Sequence, residues 1–161
     1  MSSFREAISI GADGIECDIG LTKDLEPVVF HDTKLQRLCG ASGRLEDITW
    51  KDLKKLRVFG KEPIPHLDEL LEMNADFLVN LELKLTAKVE ELVNRVGKRL
   101  SEIKRSGKTL DRFLISSFSA AILSQANAQL PPGTKYALIF EKFSEMKFKR
   151  MQDCSWISQW N

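Results

Sequence analysis

The feature that most constrains this chain is an alternation. Short apolar runs near residues 15, 80, 114, 138 and 158 have strand length, and stretches of helical periodicity are interleaved with them. Strands alternating with helices imply an α/β fold with a parallel sheet, because a parallel neighbour needs a crossover long enough to hold a helix. Val89, Leu92, Val93, Val96, Leu100 and Ile103 recur at helical spacing among charged residues, with Thr86 as the candidate N-cap. Further helices are predicted over Ser3–Ile10, Ser119–Leu130 and Glu145–Met151, stopped in the first two cases by Gly11 and by Pro131-Pro132-Gly133. Catalytic groups in such folds gather at the carboxyl ends of strands. A closed (β/α) barrel takes eight strands in roughly 250 residues, so the expectation is an incomplete one.

One pair of strands breaks the alternation. Gly14–Ile19 and Pro27–Phe30 lie too close in sequence for a crossover, which predicts an antiparallel hairpin. A two-residue turn at Asp24 and Leu25 would set position 18 opposite position 31; Leu25 resists the positive φ of that turn, and a longer turn would shift the pairing by one. From Leu35 to Pro65 the pattern loosens around Cys39-Gly40-Ala41-Ser42-Gly43, followed by a short helix capped by Thr49 with Leu53 and Leu56 inward. Residues 35–65 are predicted to be a small insertion over the barrel mouth. Leu67, Leu70 and Leu71 mark another short helix, and Phe77–Leu85 reads as a strand with Asn80, Glu82 and Lys84 on one face.

The polar residues of these strands point to a hard-metal site. Glu16 and Asp18 alternate to one face of their strand, and with Glu82 they offer three carboxylates from strand ends, the oxygen environment that Mg²⁺ or Ca²⁺ prefers. An isolated Glu-x-Asp is more often a plain polar strand end, so the weight rests on the joint pattern. His31, followed by Asp32, stands at the end of an apolar run where an imidazole can exchange a proton with a phosphodiester oxygen. Lys84 could neutralise a phosphate or pair with Glu16 or Glu82. Cys17 alternates to the opposite face and reads as a small buried hydrophobe.

Composition narrows the classes. At 161 residues and 43% apolar, one domain is expected, and the net charge of +1 argues against a nucleic-acid surface. Three cysteines without metal-knuckle spacing, no apolar run long enough to span a membrane and no secretory layout at the N-terminus predict a reducing, cytoplasmic setting.

The segments Gly11-Ala12-Asp13-Gly14-Ile15-Glu16-Cys17-Asp18, Leu21-Thr22-Lys23-Asp24 and Pro27-Val28-Val29-Phe30-His31-Asp32 together resemble the glycerophosphodiester phosphodiesterases. The likeness continues through Leu35-Gln36-Arg37, Gly43-Arg44-Leu45, Ile64-Pro65-His66-Leu67, Asn80-Leu81-Glu82-Leu83-Lys84 and Ser116-Ser117-Phe118. It implies a TIM-type barrel with a small insertion after the hairpin, here expected to lack the first strand and the last two. It also implies hydrolysis of glycerophosphodiesters to an alcohol and glycerol 3-phosphate, a step of lipid and glycerol metabolism. By matching position, Glu16, Asp18 and Glu82 would bind Mg²⁺, Ca²⁺ or Mn²⁺, His31 would be a general acid or base, and Lys84 a substrate contact.

The family's first-strand His-Arg-Gly motif, which carries a second histidine and an arginine, does not occur here, and His66 stands where the family has a helix-capping Thr. Two expectations follow: a phosphodiesterase that relies on an oligomeric or complementing chain to cover its open edges, or a non-catalytic metal- or phosphodiester-binding module.

Overall fold

The computed structural model describes residues 1–73, 77–140 and 156–159. Its contacts divide the chain into two units, 1–79 and 80–161, with the boundary inside one strand.

In the first unit a helix α1 (Ser2–Ser9) ends at Gly11, whose φ of 87° is the left-handed stop a glycine adopts without strain. Strand β1 (Gly14–Leu21) pairs antiparallel with β2 (Pro27–Val29), as the short connection required. The register is one step from the two-residue-turn expectation. Ile19 faces Val29 and Leu21 faces Pro27, so the N–H of Phe30, not of His31, meets the Asp18 carbonyl at 3.0 Å.

The reason lies in the turn. Leu25 adopts φ 65° despite its side chain, its N–H donates to the Thr22 carbonyl, and the Thr22 N–H donates to the Glu26 carbonyl, which closes a three-residue loop. Asp24 makes this loop worthwhile: one of its carboxylate oxygens accepts from the Thr22 hydroxyl at 2.6 Å and from the Trp50 N–H at 2.8 Å.

Residues 35–65 build a small structure of their own: α2 (Gln36–Cys39), α3 (Trp50–Leu53) capped by the Thr49 hydroxyl, and a two-stranded ribbon of β3 (Arg57–Val58) and β4 (Glu62–Pro63). Leu35, Leu45, Leu53 and Ile64 bury themselves in one cluster with Val28 and Phe30 of the hairpin. At about 25 cal/mol per Å² of apolar surface, that shared cluster is what makes a loop-rich segment hold one shape. Helix α4 (Leu67–Leu71) follows, with Leu67, Leu70 and Leu71 buried as their spacing predicts.

Strand β5 (Leu78–Leu83) begins beside β1: the Leu78 N–H donates to the Asp13 carbonyl at 3.0 Å. Gly14 permits that approach, since a Cβ there would stand 2.9 Å from the Leu78 carbonyl oxygen.

In the second unit, β5 continues a sheet of order β5, β6 (Phe113–Ser117), β7 (Lys135–Phe140), β8 (Trp156–Gln159), with the last three strands parallel. Helix α5 (Val89–Arg105) buries Leu92, Val93, Val96 and Leu100, the apolar stripe read from the sequence. It starts later than predicted: Thr86 accepts from the Lys88 N–H at 3.2 Å in a turn before the helix and does not cap it. Helix α6 (Ala120–Gln129) is capped by the Ser119 hydroxyl, and the Tyr136 hydroxyl donates to the Ala126 carbonyl. The helix predicted over 145–151, together with Cys154 and Trp160, lies outside the described residues.

Candidate active site

In the first unit, alternation along β1 puts Glu16 and Asp18 on one face and Cys17 on the other. Asp18 is buried and Glu16 half-buried, so two carboxylates occupy neighbouring positions out of bulk water. Cys17 is buried behind them. Burial, reinforced by the negative charges of Glu16 and Asp18, pushes its thiol above the ordinary range, in keeping with a packing role.

His31 emerges just past β2, one residue beyond the Phe30 that binds the Asp18 backbone. Its imidazole is 64% exposed, and its Nδ1 lies 2.7 Å from Asp32 Oδ1. Asp32 in turn accepts two hydrogen bonds from Arg37 of α2, Nε to Oδ2 at 2.7 Å and Nη2 to Oδ1 at 2.6 Å. That fork, with help from His31, lowers the Asp32 carboxyl from 3.8 to about 2.

In the sequence Asp32 stands out as the acid beside His31, whereas Arg37 appears only within the family-like segment Leu35-Gln36-Arg37, with no periodic sign of this contact. Their spacing of five residues follows neither helix nor strand periodicity, so only the pairing of an acid beside the histidine with a nearby arginine signals the contact.

In the second unit, Glu82 lies buried on β5, and Lys84, two residues on, brings its Nζ to 3.5 Å from Glu82 Oε1. The ambiguity left by the sequence is thus resolved in part: Lys84 pairs with Glu82, and at 30% side-chain exposure it still reaches solvent. Ser117, on β6, donates to the Leu83 carbonyl at 2.8 Å, and this ties the end of β5 to its neighbour.

The second histidine serves the fold. His66 caps α4, its Nδ1 accepting from the Asp68 N–H at 3.2 Å while Glu69 accepts from the His66 N–H at 3.0 Å. Its Nε2 lies 3.2 Å from a Glu26 carboxylate oxygen, and Trp50 packs against the ring with centroids 5.3 Å apart.

Carboxylates buried in this way are found paired or holding a metal, because an isolated buried charge is costly. The donors are all oxygen, with the one nearby thiol turned to the opposite face, so the set fits a hard divalent cation rather than zinc in a thiolate cage.

Comparison with known proteins places these features in company. The profile of the Glycerophosphoryl diester phosphodiesterase family matches residues 1–160. A glycerophosphodiester phosphodiesterase of Caldanaerobacter subterraneus subsp. tengcongensis is 34% identical over 150 residues, covering 88% of this chain and 60% of that protein. One of Bacillus altitudinis is 32% identical, covering 81% of this chain and 56% of its own.

Among solved structures, a phosphodiesterase of Oleispira antarctica in complex with the product sn-glycerol-3-phosphate superimposes with a TM-score of 0.84 at 26% identity, over 98% of this chain and 67% of that one. A glycerophosphodiester phosphodiesterase of Thermotoga maritima gives 0.67 at 29% identity, over 88% and 55%. The chain thus spans between 32% and 60% of the length of these and other curated relatives, and its fold corresponds to part of the (β/α) barrel of the solved ones.

Proposed function

The chain belongs to the glycerophosphoryl diester phosphodiesterase family, and from that premise we propose that its protein hydrolyses glycerophosphodiesters to an alcohol and sn-glycerol 3-phosphate with the help of a divalent cation. Glu16, Asp18 and Glu82 would hold the cation, Mg²⁺ or Ca²⁺ with Mn²⁺ as a further candidate, Lys84 would contact the phosphate, and His31 would act as general acid or base.

The observation that carries the reading is three acidic side chains of the kind a hard cation takes, Glu16 and Asp18 on one face of β1 and Glu82 buried on β5.

The chemistry then divides among the residues. A cation bound there supplies Lewis-acid polarisation of the phosphoryl oxygens. Lys84, beside Glu82, adds a positive point charge for a phosphate oxygen. His31 presents Nε2 to solvent because Nδ1 is taken by Asp32. As water bonds to phosphorus and the P–O bond to the alcohol breaks, His31 exchanges the proton that the entering or leaving oxygen must lose or gain.

Residues 35–65 act in this reading as a cover at the substrate side. Cys17 and Cys39 are not in a disulfide, which fits the cytoplasmic setting proposed from the cysteine pattern. Separately, no helix among the described residues is long and apolar enough to cross a membrane.

The test is to incubate the purified chain with a glycerophosphodiester and follow sn-glycerol 3-phosphate. Release that needs Mg²⁺ or Ca²⁺, stops with a chelator and falls at least about 100-fold in Glu82→Gln supports the reading. Release that ignores chelation and the Glu82 change contradicts it.

A further inference from the structure

We propose that Arg37 and Asp32 are positioning residues for His31, holding its imidazole as the Nδ1–H tautomer so that the lone pair of Nε2 is the one offered to the reacting proton. The inference rests on the reading of His31 as the acid or base, and it deepens that reading by naming what fixes the ring.

Three contacts carry it. His31 Nδ1 and Asp32 Oδ1 are 2.7 Å apart, and an ionised carboxylate has no proton to give, so Nδ1 must be the donor. Asp32 is itself clamped by the planar fork of Arg37, Nε on Oδ2 and Nη2 on Oδ1. Arg37 comes from a short helix whose place is set by Leu35, which is fully buried in the cluster shared with β2.

The chain of constraint therefore runs from core to imidazole: Leu35 seats α2, α2 aims Arg37, Arg37 fixes the plane of Asp32, and Asp32 sets the tautomer. The exposures agree with that division of labour. Asp32 in the middle is 15% exposed, whereas Arg37 and His31 at the two ends are 62% and 64% exposed. A carboxylate held below the ordinary range stays ionised wherever the enzyme would work, so the donor requirement on Nδ1 does not lapse.

A tautomer-setting carboxylate of this kind governs turnover far more than binding, because the wrong tautomer presents a proton where a lone pair is needed. Arg37 touches no reacting atom in this arrangement. Its loss loosens Asp32, and replacement by lysine restores the charge without the fork.

The experiment uses the fact that the chain has only two histidines. Imidazole ¹⁵N–¹H correlation spectra of the full chain, recorded at a pH where both rings are neutral and assigned with His66→Gln, read the tautomer of His31 directly. Wild type should show a protonated Nδ1 and a bare Nε2. Asp32→Asn should move His31 to the Nε2–H or a mixed form and lower kcat about 100-fold with KM changed less than about threefold. Arg37→Gln should give a mixed tautomer and a loss of about 10-fold in kcat, and Arg37→Lys should recover part of both.

A His31 tautomer untouched by Asp32→Asn overturns the proposal, as does an Arg37→Gln variant that raises KM alone, since that would make Arg37 a substrate contact. The spectra answer whether or not the chain turns over. A locked Nδ1–H that responds to both changes in a chain inert toward glycerophosphodiesters would leave the positioning intact and remove the proposed activity.

Discussion

The two ends of β2 each bring a histidine to a carboxylate, and they use it in opposite ways. At the start of the strand, His66 meets Glu26 through Nε2 while Nδ1 accepts from the Asp68 N–H, so the ring is spent in full on the fold. Past its end, His31 meets Asp32 through Nδ1 and turns Nε2 to solvent, with most of the ring exposed. His66 is only 15% exposed and lies against Trp50. The lesson is that a histidine beside an acid is not by itself a catalytic signal: what separates the two is whether the second nitrogen has already been used. The geometry makes them opposite tautomers, Nε2–H for His66 and Nδ1–H for His31.

Substitutions separate the two roles. The largest expected effect strikes both ends together. Leu53 is fully buried in the cluster that includes Val28 and Phe30 of β2, so Leu53→Ala should cost about 2–5 kcal/mol in chemical denaturation and take activity with it. An unchanged midpoint would mean that residues 35–65 do not hold β2.

His66→Ala is next. It removes a helix cap and should lower stability by about 1 kcal/mol while leaving turnover near wild type; a lost activity with unchanged stability would erase the distinction between the two histidines.

Leu25→Gly should stabilise the hairpin by a few tenths to about 1 kcal/mol, because φ 65° costs glycine nothing, and the gain should appear as a raised Tm with the β1–β2 register intact. A lowered Tm would show that the Leu25 side chain contributes more than its backbone costs.

The smallest effect is in acid. Asp32 is depressed in the folded chain, so the stability it contributes is present above 3.8 and is lost as pH falls from there toward about 2. Acid titration of Asp32→Asn followed by circular dichroism should lack that part of the wild-type loss; superimposable curves would mean that the Arg37 fork adds nothing to folding.

Much of this was legible in the sequence. Alternation along Gly14–Ile19 put Glu16 and Asp18 on one face, with Cys17 behind them, because a period of two leaves no choice once the strand is recognised. The apolar stripe of α5 was equally plain.

What escaped depends on local chemistry that pattern does not encode. The hairpin took the longer-turn register that the sequence left open; what the pattern did not decide between the two was a leucine accepting a left-handed position, favoured by Asp24 contacts to Thr22 and Trp50 that span up to 26 residues. Thr86 looked like a cap but closes a turn before the helix. Arg37 was visible only as part of a family-like segment, since nothing in its spacing from Asp32 announces a fork between them.

The most direct test of the account compares the two histidines in one assay: metal-dependent release of sn-glycerol 3-phosphate by the wild-type chain, His31→Gln and His66→Gln, each shown to be folded. The account predicts a loss of about 100-fold or more for His31→Gln and near wild-type turnover for His66→Gln. Equal losses in both, or a His31→Gln chain as active as wild type, would contradict it.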